Sequence, residues 1–334
     1  MKHLKKKFYA MLNKGQIFSL INLANIESGL LTRNAIRSAD EFIAFSDIRK
    51  GIPILTPADP SLFNFNRSDI FKISPLNLLE IIYGHSDQSY VGYKHAFPQY
   101  EFLSNFKVKS KYRSFIEKIK KQNLLAQVYI DNLKRKINTI GSFQTRNIPH
   151  FGHEKIIEKM LEFCDHVVIN PVIGPKKIGD VSVEALNTIY DYLTKEKFKN
   201  KISFMPVYAN MYYAGPREAI HHTIIREKLG FDYFTVGRDH AGADRAYNST
   251  LAPSIITKYQ STFKINVIAH YGVAFCPQCK DFVFSGKCNH KVEKLIDISG
   301  SEFRSTISLG QIFKFADKNL QEYIIRNNLE IFEK

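Results

Sequence analysis

Tryptophan is absent from the 334 residues, and cysteine is scarce at four. So few thiols cannot form the dense disulfide framework of a small secreted scaffold, and three of them fall within the segment 276–288. A reducing cytoplasm is the simplest compartment for such a chain. No apolar run approaches the ~20 residues that a membrane span needs, so a membrane partner is not expected. The N-terminus MKHLKKKFYAMLNKGQ is basic but lacks the continuous apolar core of a signal peptide. Acidic residues are also in deficit, 32 against 47 Lys and Arg, and the formal net charge of +15 points to anionic partners. What is present is ordinary globular material, 44% hydrophobic and 24% charged, in a chain long enough for a large core and about two domains.

There is no internal repeat and no low-complexity linker. The character of the sequence changes near residue 125. Residues 53–66 carry three prolines and read as loop and turn, and 75–83 as a short helix with Pro75 in its first turn. Residues 105–136 read as largely helical, their basic residues forming a solvated face. From Lys136 onward the pattern alternates. Segments 136–143, 166–173, 201–209, 231–237 and 263–270 are β-branched and aromatic enough for buried strands. Segments 153–164, 183–193 and 216–230 lie between them with helical spacing, and Pro216, Glu218 and Gly230 mark the two ends of the last. Strand alternating with helix predicts a parallel sheet, and such sheets bind ligands at the carboxyl ends of their strands.

Two segments fall at those ends. QTRNIPHFGH, Gln144 to His153, joins the strand at 136–143 to the next helix. Unpaired N–H groups at that helix start favour anions. Gly152 permits close approach to the backbone. His150 and His153, three apart, project toward one point, where Arg146, Gln144 and Asn147 join them. Such a set can hold a polyphosphate and stabilise charge that builds on it. GRDHAG, residues 237–242, follows another strand, with Gly237 and Gly242 expected to allow tight turns. A separate set, Cys276, Cys279, Cys288 and His290, has the spacing of zinc ligands. Four protein ligands leave no open position, so the metal would be structural. His290 is the weakest member because Cys288-Asn-His290 is tightly spaced. A redox Cys-x-x-Cys and free buried thiols stay open as alternatives. Cys164 reads as core.

These strings carry a resemblance. His-x-Gly-His at a strand–turn–helix junction is the phosphate-gripping signature of a nucleotidyltransferase superfamily. QTRN followed by HxxH resembles the ATP sulfurylase (sulfate adenylyltransferase) family. NPVIGPKKIGD (170–180), YAGPREA (213–219), GRDHAG and ISGSEFR (298–304) match in the same order. The resemblance implies a Rossmann-like α/β catalytic domain at 126–298 with a zinc loop at 271–293. A helical segment would follow at 299–334, and a divergent N-terminal domain, PUA-like in the family, would occupy 1–125. It implies that Gln144, Arg146, Arg238 and Ala241 hold sulfate. Gln144, Thr145, Asn147, His150, His153, Gly237, Asp239, His240 and Arg304 would hold ATP, and Arg146, Asn147, His150, His153 and Arg238 would act on the transition state. The implied cofactors are Mg²⁺ with ATP and structural Zn²⁺, and a homodimer fits the reading. The implied reaction is ATP and sulfate to adenylylsulfate and pyrophosphate.

Plainer readings stand beside these. YAGPREA is also an ordinary helix start, Ser299 and Glu302 have capping-box spacing that would leave Arg304 a surface residue, and Lys176 and Lys177 are also simply solubilising. The chain departs from the family in Asn-Ile-Pro-His for Asn-Pro-x-His, in Tyr212 where an arginine usually stands, and in the continuation ADRAYNST after GRDHAG. A different anionic acceptor and an inactive family member are therefore rival readings. A basic RNA-binding protein with a zinc knuckle is a third, and it leaves QTRN…HFGH unexplained.

Overall fold

The computed structural model describes residues 12–30, 62–64, 70–72, 80, 83–96, 101–103, 107–242, 246–290, 294–327 and 329–332. Most of the proline-rich segment and of the helix expected at 75–83 lie outside these. Phe63–Asn64 forms a short strand on Lys107–Val108, and Glu80 and Tyr83 are helical.

Helix α1 (Lys14–Glu27) is closed by a capping box between Asn13 and Gln16 and buries every residue from Ile17 to Asn25. Helix α2 (Ser110–Lys134) buries Ile116, Ile119, Asn123, Ala126 and Ile130. Their alternating steps of three and four make one buried stripe, apolar except for Asn123. Lys111, Lys118 and Lys121 lie on its exposed side. Ile17, Leu20, Ile21 and Ala24 of α1 meet Ile116 and Ile119 of α2, and Arg113 holds both carboxylate oxygens of Glu27 at 2.7 and 2.8 Å.

The expected alternation is present. In order come β1 (Ile140–Phe143), α3 (Phe151–Met160), β2 (His166–Ile169), α4 (Val183–Glu196), β3 (Ile202–Phe204), α5 (Pro216–Lys228), β4 (Tyr233–Val236), α6 (Leu251–Tyr259) and β5 (Asn266–Ala269). The strands form one parallel sheet in the order β3-β2-β1-β4-β5. Alternation assigns the two faces: Val167 and Ile169 join one core cluster, and Val168 between them joins the other. Helix α4 covers the first face with Leu186, Ile189 and Leu193, each burial stabilising by about 1.5–3 kcal/mol. The second cluster unites Val168 and Phe234 with Phe18 of α1 and with Tyr83, Tyr90 and Tyr93, so the N-terminal third shares a core with the sheet.

Because the chain runs outward from β1 to β3 and then returns to lay β4 on the other side of β1, the ends of β1 and β4 form a topological switch point. Beyond β5 an antiparallel hairpin, β6 (Val273–Cys276) and β7 (Asp281–Phe284), is extended by β8 (Ile296–Asp297) in the order β7-β6-β8. Helices α7 (Gly300–Ser308) and α8 (Lys318–Arg326) follow, and Phe303, Ile307, Leu320 and Ile324 seat them on the first core cluster. Among the described residues no helix is long and apolar enough to cross a membrane.

Candidate functional site

A cavity of about 300 Å³ opens at the switch point. Strand β1 delivers the Gln144–Asn147 segment to it and β4 delivers Gly237–Ala241, as the order of the strands requires. Of the twelve substrate-site residues named from the sequence, the cavity wall includes all but Arg304.

Arg146 is already anchored. Its guanidinium donates to both oxygens of Asp180 at 3.0 and 3.3 Å and to the Gly242 carbonyl at 2.6 Å, and it lies over the Tyr213 ring. Asp180 is fully buried and also accepts from the Tyr213 hydroxyl at 2.9 Å. Tyr213 itself sits at φ +60°, a conformation that costs a non-glycine residue on the order of 1 kcal/mol, and its carbonyl accepts from the Tyr90 hydroxyl. Arg146 therefore carries a structural role besides any contact with an anion. Arg238 is ion-paired with Asp297 of β8 at 2.9 Å. A Cβ at Gly272 (φ +100°) would lie 2.5 Å from the Arg238 side chain, so glycine there is what admits this arginine.

His150 is the N-cap of α3 and His153 its third residue. Their rings stack at 3.8 Å, and the His150 N–H donates to His153 Nδ1 at 3.4 Å. Burial, reinforced by His153 and Arg238, holds His150 well below the ordinary imidazole range. Burial with His270 nearby lowers His153 to about 4. Both rings are neutral at pH 7, and stacked as they are they cannot both charge without repulsion. Asn147 accepts from Arg304 of α7 at 2.5 Å, which ties that arginine to a residue of the cavity wall. Ser299 does cap α7 by accepting from the Glu302 N–H at 3.2 Å.

The GRDHAG segment corrects one expectation. Neither Gly237 nor Gly242 adopts a left-handed φ; Asp239 and Ala241 do, each at +53°. The glycines instead make room. A Cβ on Gly237 would meet the His270 ring at 2.6 Å, and one on Gly242 the Asp239 carboxylate at 2.2 Å. Burial raises the Asp239 carboxyl, against the pull of Arg146 and Arg238. His240 lines the cavity and lies 3.0 Å from His222 Nδ1, and His222 in turn lies 3.4 Å from Glu218. Glu218 accepts the N–H groups of Tyr212 and Ala214, so the helix start in YAGPREA has a clear structural task. Its burial lifts the carboxyl pKa to about 7. Lys176 is buried and donates to the Val181 carbonyl at 3.0 Å rather than facing solvent. Tyr212 is buried against Phe18, its hydroxyl donating to Asn22 of α1 at 2.7 Å, so this departure from the family string serves to anchor the N-terminal helix.

The Cys276, Cys279, Cys288 and His290 side chains gather at the tip of the β6–β7 hairpin with all ligand atoms within 4.8 Å of one another. Sulfur–sulfur separations are 3.6 Å and sulfur–Nδ1 separations 3.2–3.5 Å. These suit the edges of a tetrahedron around an ion with metal–sulfur bonds of about 2.3 Å. The cluster could hold a metal, and the tight Cys288-Asn-His290 spacing does not keep His290 out of it. No disulfide joins the four described cysteines, and Cys164 is buried as expected.

Sequence reasoning passed over Asp180, Tyr213, Arg226, His270 and Asp297. Only His270 had a usable signal, being the first residue beyond the fifth strand of a parallel sheet. Asp180 and Tyr213 lie inside the strings NPVIGPKKIGD and YAGPREA but were given no role of their own, and Arg226 and Asp297 act on partners distant in sequence.

A parallel α/β sheet with a cation-rich, histidine-paired cleft at its switch point has the architecture of the nucleotide-binding α/β class. Residues 126–315 match the ATP-sulfurylase family model, which is more than half of the chain, and the protein belongs to that family. A sulfate adenylyltransferase of Staphylothermus marinus is 38% identical over 178 residues, 53% of this chain and 46% of that relative. One from Ignicoccus hospitalis is 36% identical over 188 residues, 56% of this chain and 47% of its own length. The match therefore spans about half the length of these relatives. The sulfate adenylyltransferase of Carboxydothermus hydrogenoformans aligns more widely, 28% identical over 306 residues, 90% of this chain and 80% of that one. Such an alignment must run into the N-terminal third, where no family motif is legible. A solved hexameric APS kinase from Thiobacillus denitrificans covers 58% of this chain and 37% of its own at 15% identity, but its TM-score of 0.42 is too low to inform the site.

Proposed function

We propose that the chain is a sulfate adenylyltransferase. The observation that carries this is the convergence of Gln144, Arg146 and Arg238 with the His150–His153 pair on one cavity, from two adjacent strand ends. Sulfate lies against Gln144, Arg146, Arg238 and the Ala241 backbone. ATP lies along Thr145, Asn147, His150, His153, Gly237, Asp239 and His240, with Arg304 reaching it through Asn147. A sulfate oxygen attacks the α-phosphorus in line. The bond from that phosphorus to the bridging oxygen breaks, and its electron pair leaves on pyrophosphate. Sulfate is fully ionised at neutral pH, so no proton must move before attack.

The residues work by positioning and by neutralising charge. One of the neutral, desolvated rings of the His150–His153 pair can gain positive charge as the triphosphate enters and as charge builds on the leaving group. Magnesium would enter with ATP and would supply positive charge that offsets the charge of the phosphates. Among the described residues Asp239 is the one carboxylate on the cavity wall, which suits an ion held mainly by its substrate. The Cys276, Cys279, Cys288 and His290 cluster would hold a structural Zn²⁺ that fixes the hairpin. The division into a segment at 1–125, a catalytic unit at 126–298 and a helical tail at 299–334 belongs to this reading, as do a PUA-like N-terminal fold and a cytoplasmic, homodimeric enzyme.

Pyrophosphate release from ATP with and without sulfate tests the activity. Sulfate-dependent release is expected. Release that another anion elicits and sulfate does not would move the chain to a different acceptor, and no release with any anion would make it an inactive relative.

A further inference from the structure

The wholly buried Arg226 of α5 contacts no carboxylate among the described residues. Its Nη2 donates to Gln144 Oε1 at 2.7 Å and to the Asn170 carbonyl at 2.6 Å, and Nη1 donates to the His222 carbonyl at 3.4 Å. The guanidinium also lies 5.3 Å from the Phe234 ring centre. One side chain thus ties the first residue beyond β1 to the first residue beyond β2. A buried cation whose hydrogen bonds all go to neutral groups is costly, and burial lowers its pKa to about 9 against the pull of the Glu218 carboxylate.

The chemistry of guanidinium gives this arrangement a consequence. Arginine only donates, so the Gln144 amide must turn its oxygen toward Arg226. Its NH₂ group is then directed away from Arg226, and among the described residues its hydrogen-bond contact is the Met211 sulfur, a weak acceptor at 3.9 Å. Gln144 borders the cavity, so it offers donors there and withholds its acceptor.

We infer that Arg226 is a positioning residue that fixes the Gln144 amide in its donor-out orientation, so that this edge of the cavity accepts a fully deprotonated oxyanion. Arg226 does not touch the anion and acts through Gln144. The inference rests on the sulfate reading above and adds the residue that gives the site its polarity.

A double-mutant cycle tests it, with sulfate and ATP varied separately in pyrophosphate release and thermal unfolding recorded for each variant. Arg226→Lys keeps a cation but not the planar fork that spans two acceptors. It should lower kcat/KM for sulfate on the order of tenfold to a hundredfold, the range for a hydrogen bond to a charged group. KM for ATP should stay within about twofold, as expected when the change is confined to one site. In a Gln144→Met background the same substitution should cost less than about twofold. A full loss in that background, or a parallel rise in KM for ATP, overturns the inference. If Arg226→Lys fails to fold, Gln144→Glu serves: it gives Arg226 a carboxylate partner. Sulfate use should fall on the order of a hundredfold or more with the unfolding temperature maintained. Sulfate use kept within tenfold in that variant overturns the inference. A wild type that releases no pyrophosphate with sulfate overturns the functional reading and this inference together, whereas an active wild type with additive variants removes the inference alone.

Discussion

At the scale of single residues, the site couples binding to stability. Arg146→Ala removes a donor aimed at the cavity and also strands the buried Asp180. Sulfate-dependent kcat/KM should fall on the order of 10²–10³-fold. Unfolding in urea should show a loss of about 3–5 kcal/mol, because an unpaired buried charge is left behind. Adding Asp180→Asn should restore much of the stability and none of the turnover. Recovery of both would show that Arg146 acts only through the fold. His153→Ala should lower kcat more than it raises KM for sulfate, since the neutral ring gains its role as charge develops on the phosphates. A pure KM effect would contradict that assignment.

At the scale of elements, the β6–β7–β8 unit joins the cysteine cluster to the cleft. Gly272, at the root of the hairpin, makes room for Arg238, and Asp297 of β8 holds its guanidinium. Elemental analysis of purified protein should find about one zinc ion per chain, lost on Cys276→Ser. Hydrogen exchange over 273–284 should quicken when the ion is removed by a chelator, because metal binding by such a set can contribute on the order of 10 kcal/mol to local folding. A metal-free wild type with a protected hairpin would refute the zinc reading. The elements around the sheet were legible because their apolar residues repeat at clean helical or strand spacing. Helices α1 and α6 and the hairpin strands were passed over. Helix α1 is buried on all sides from Ile17 to Asn25 and so carries no amphipathic signature, and the hairpin strands are four residues long.

At the scale of the whole molecule, buried histidines set the response to acid. His153 and His270 are held to about 4 and His221 to about 3, chiefly by burial, while His150, His222 and His240 also titrate low. The unfolded chain takes up these protons near pH 6.5 and the folded chain does not, so stability is full above about 6.5 and falls as pH drops toward 4. Glu218, raised to about 7, works in the opposite sense: its penalty is present above pH 7 and fades as pH falls toward its unfolded value. The histidines are more numerous, so the midpoint of thermal unfolding should fall on acidification from pH 7 to pH 5. His153→Gln should flatten that fall, by on the order of 3 kcal/mol at most across the interval. A midpoint that rises on acidification would mean that the buried carboxylate governs instead.

By itself the sequence determined the alternation of strands and helices, the two segments that face the cleft, and the spacing of the cysteine cluster. Each is a local pattern, readable wherever hydrophobic period or motif spacing survives within a few residues. Tertiary structure alone decided which strand ends lie side by side. It also decided that Arg146 is held by a carboxylate thirty-four residues away, and that Arg226 reaches Gln144 across eighty-two. Those partners are set by the order of strands in the sheet and by burial. The energy of a buried charge depends on what surrounds it in space, and a linear pattern does not carry that information.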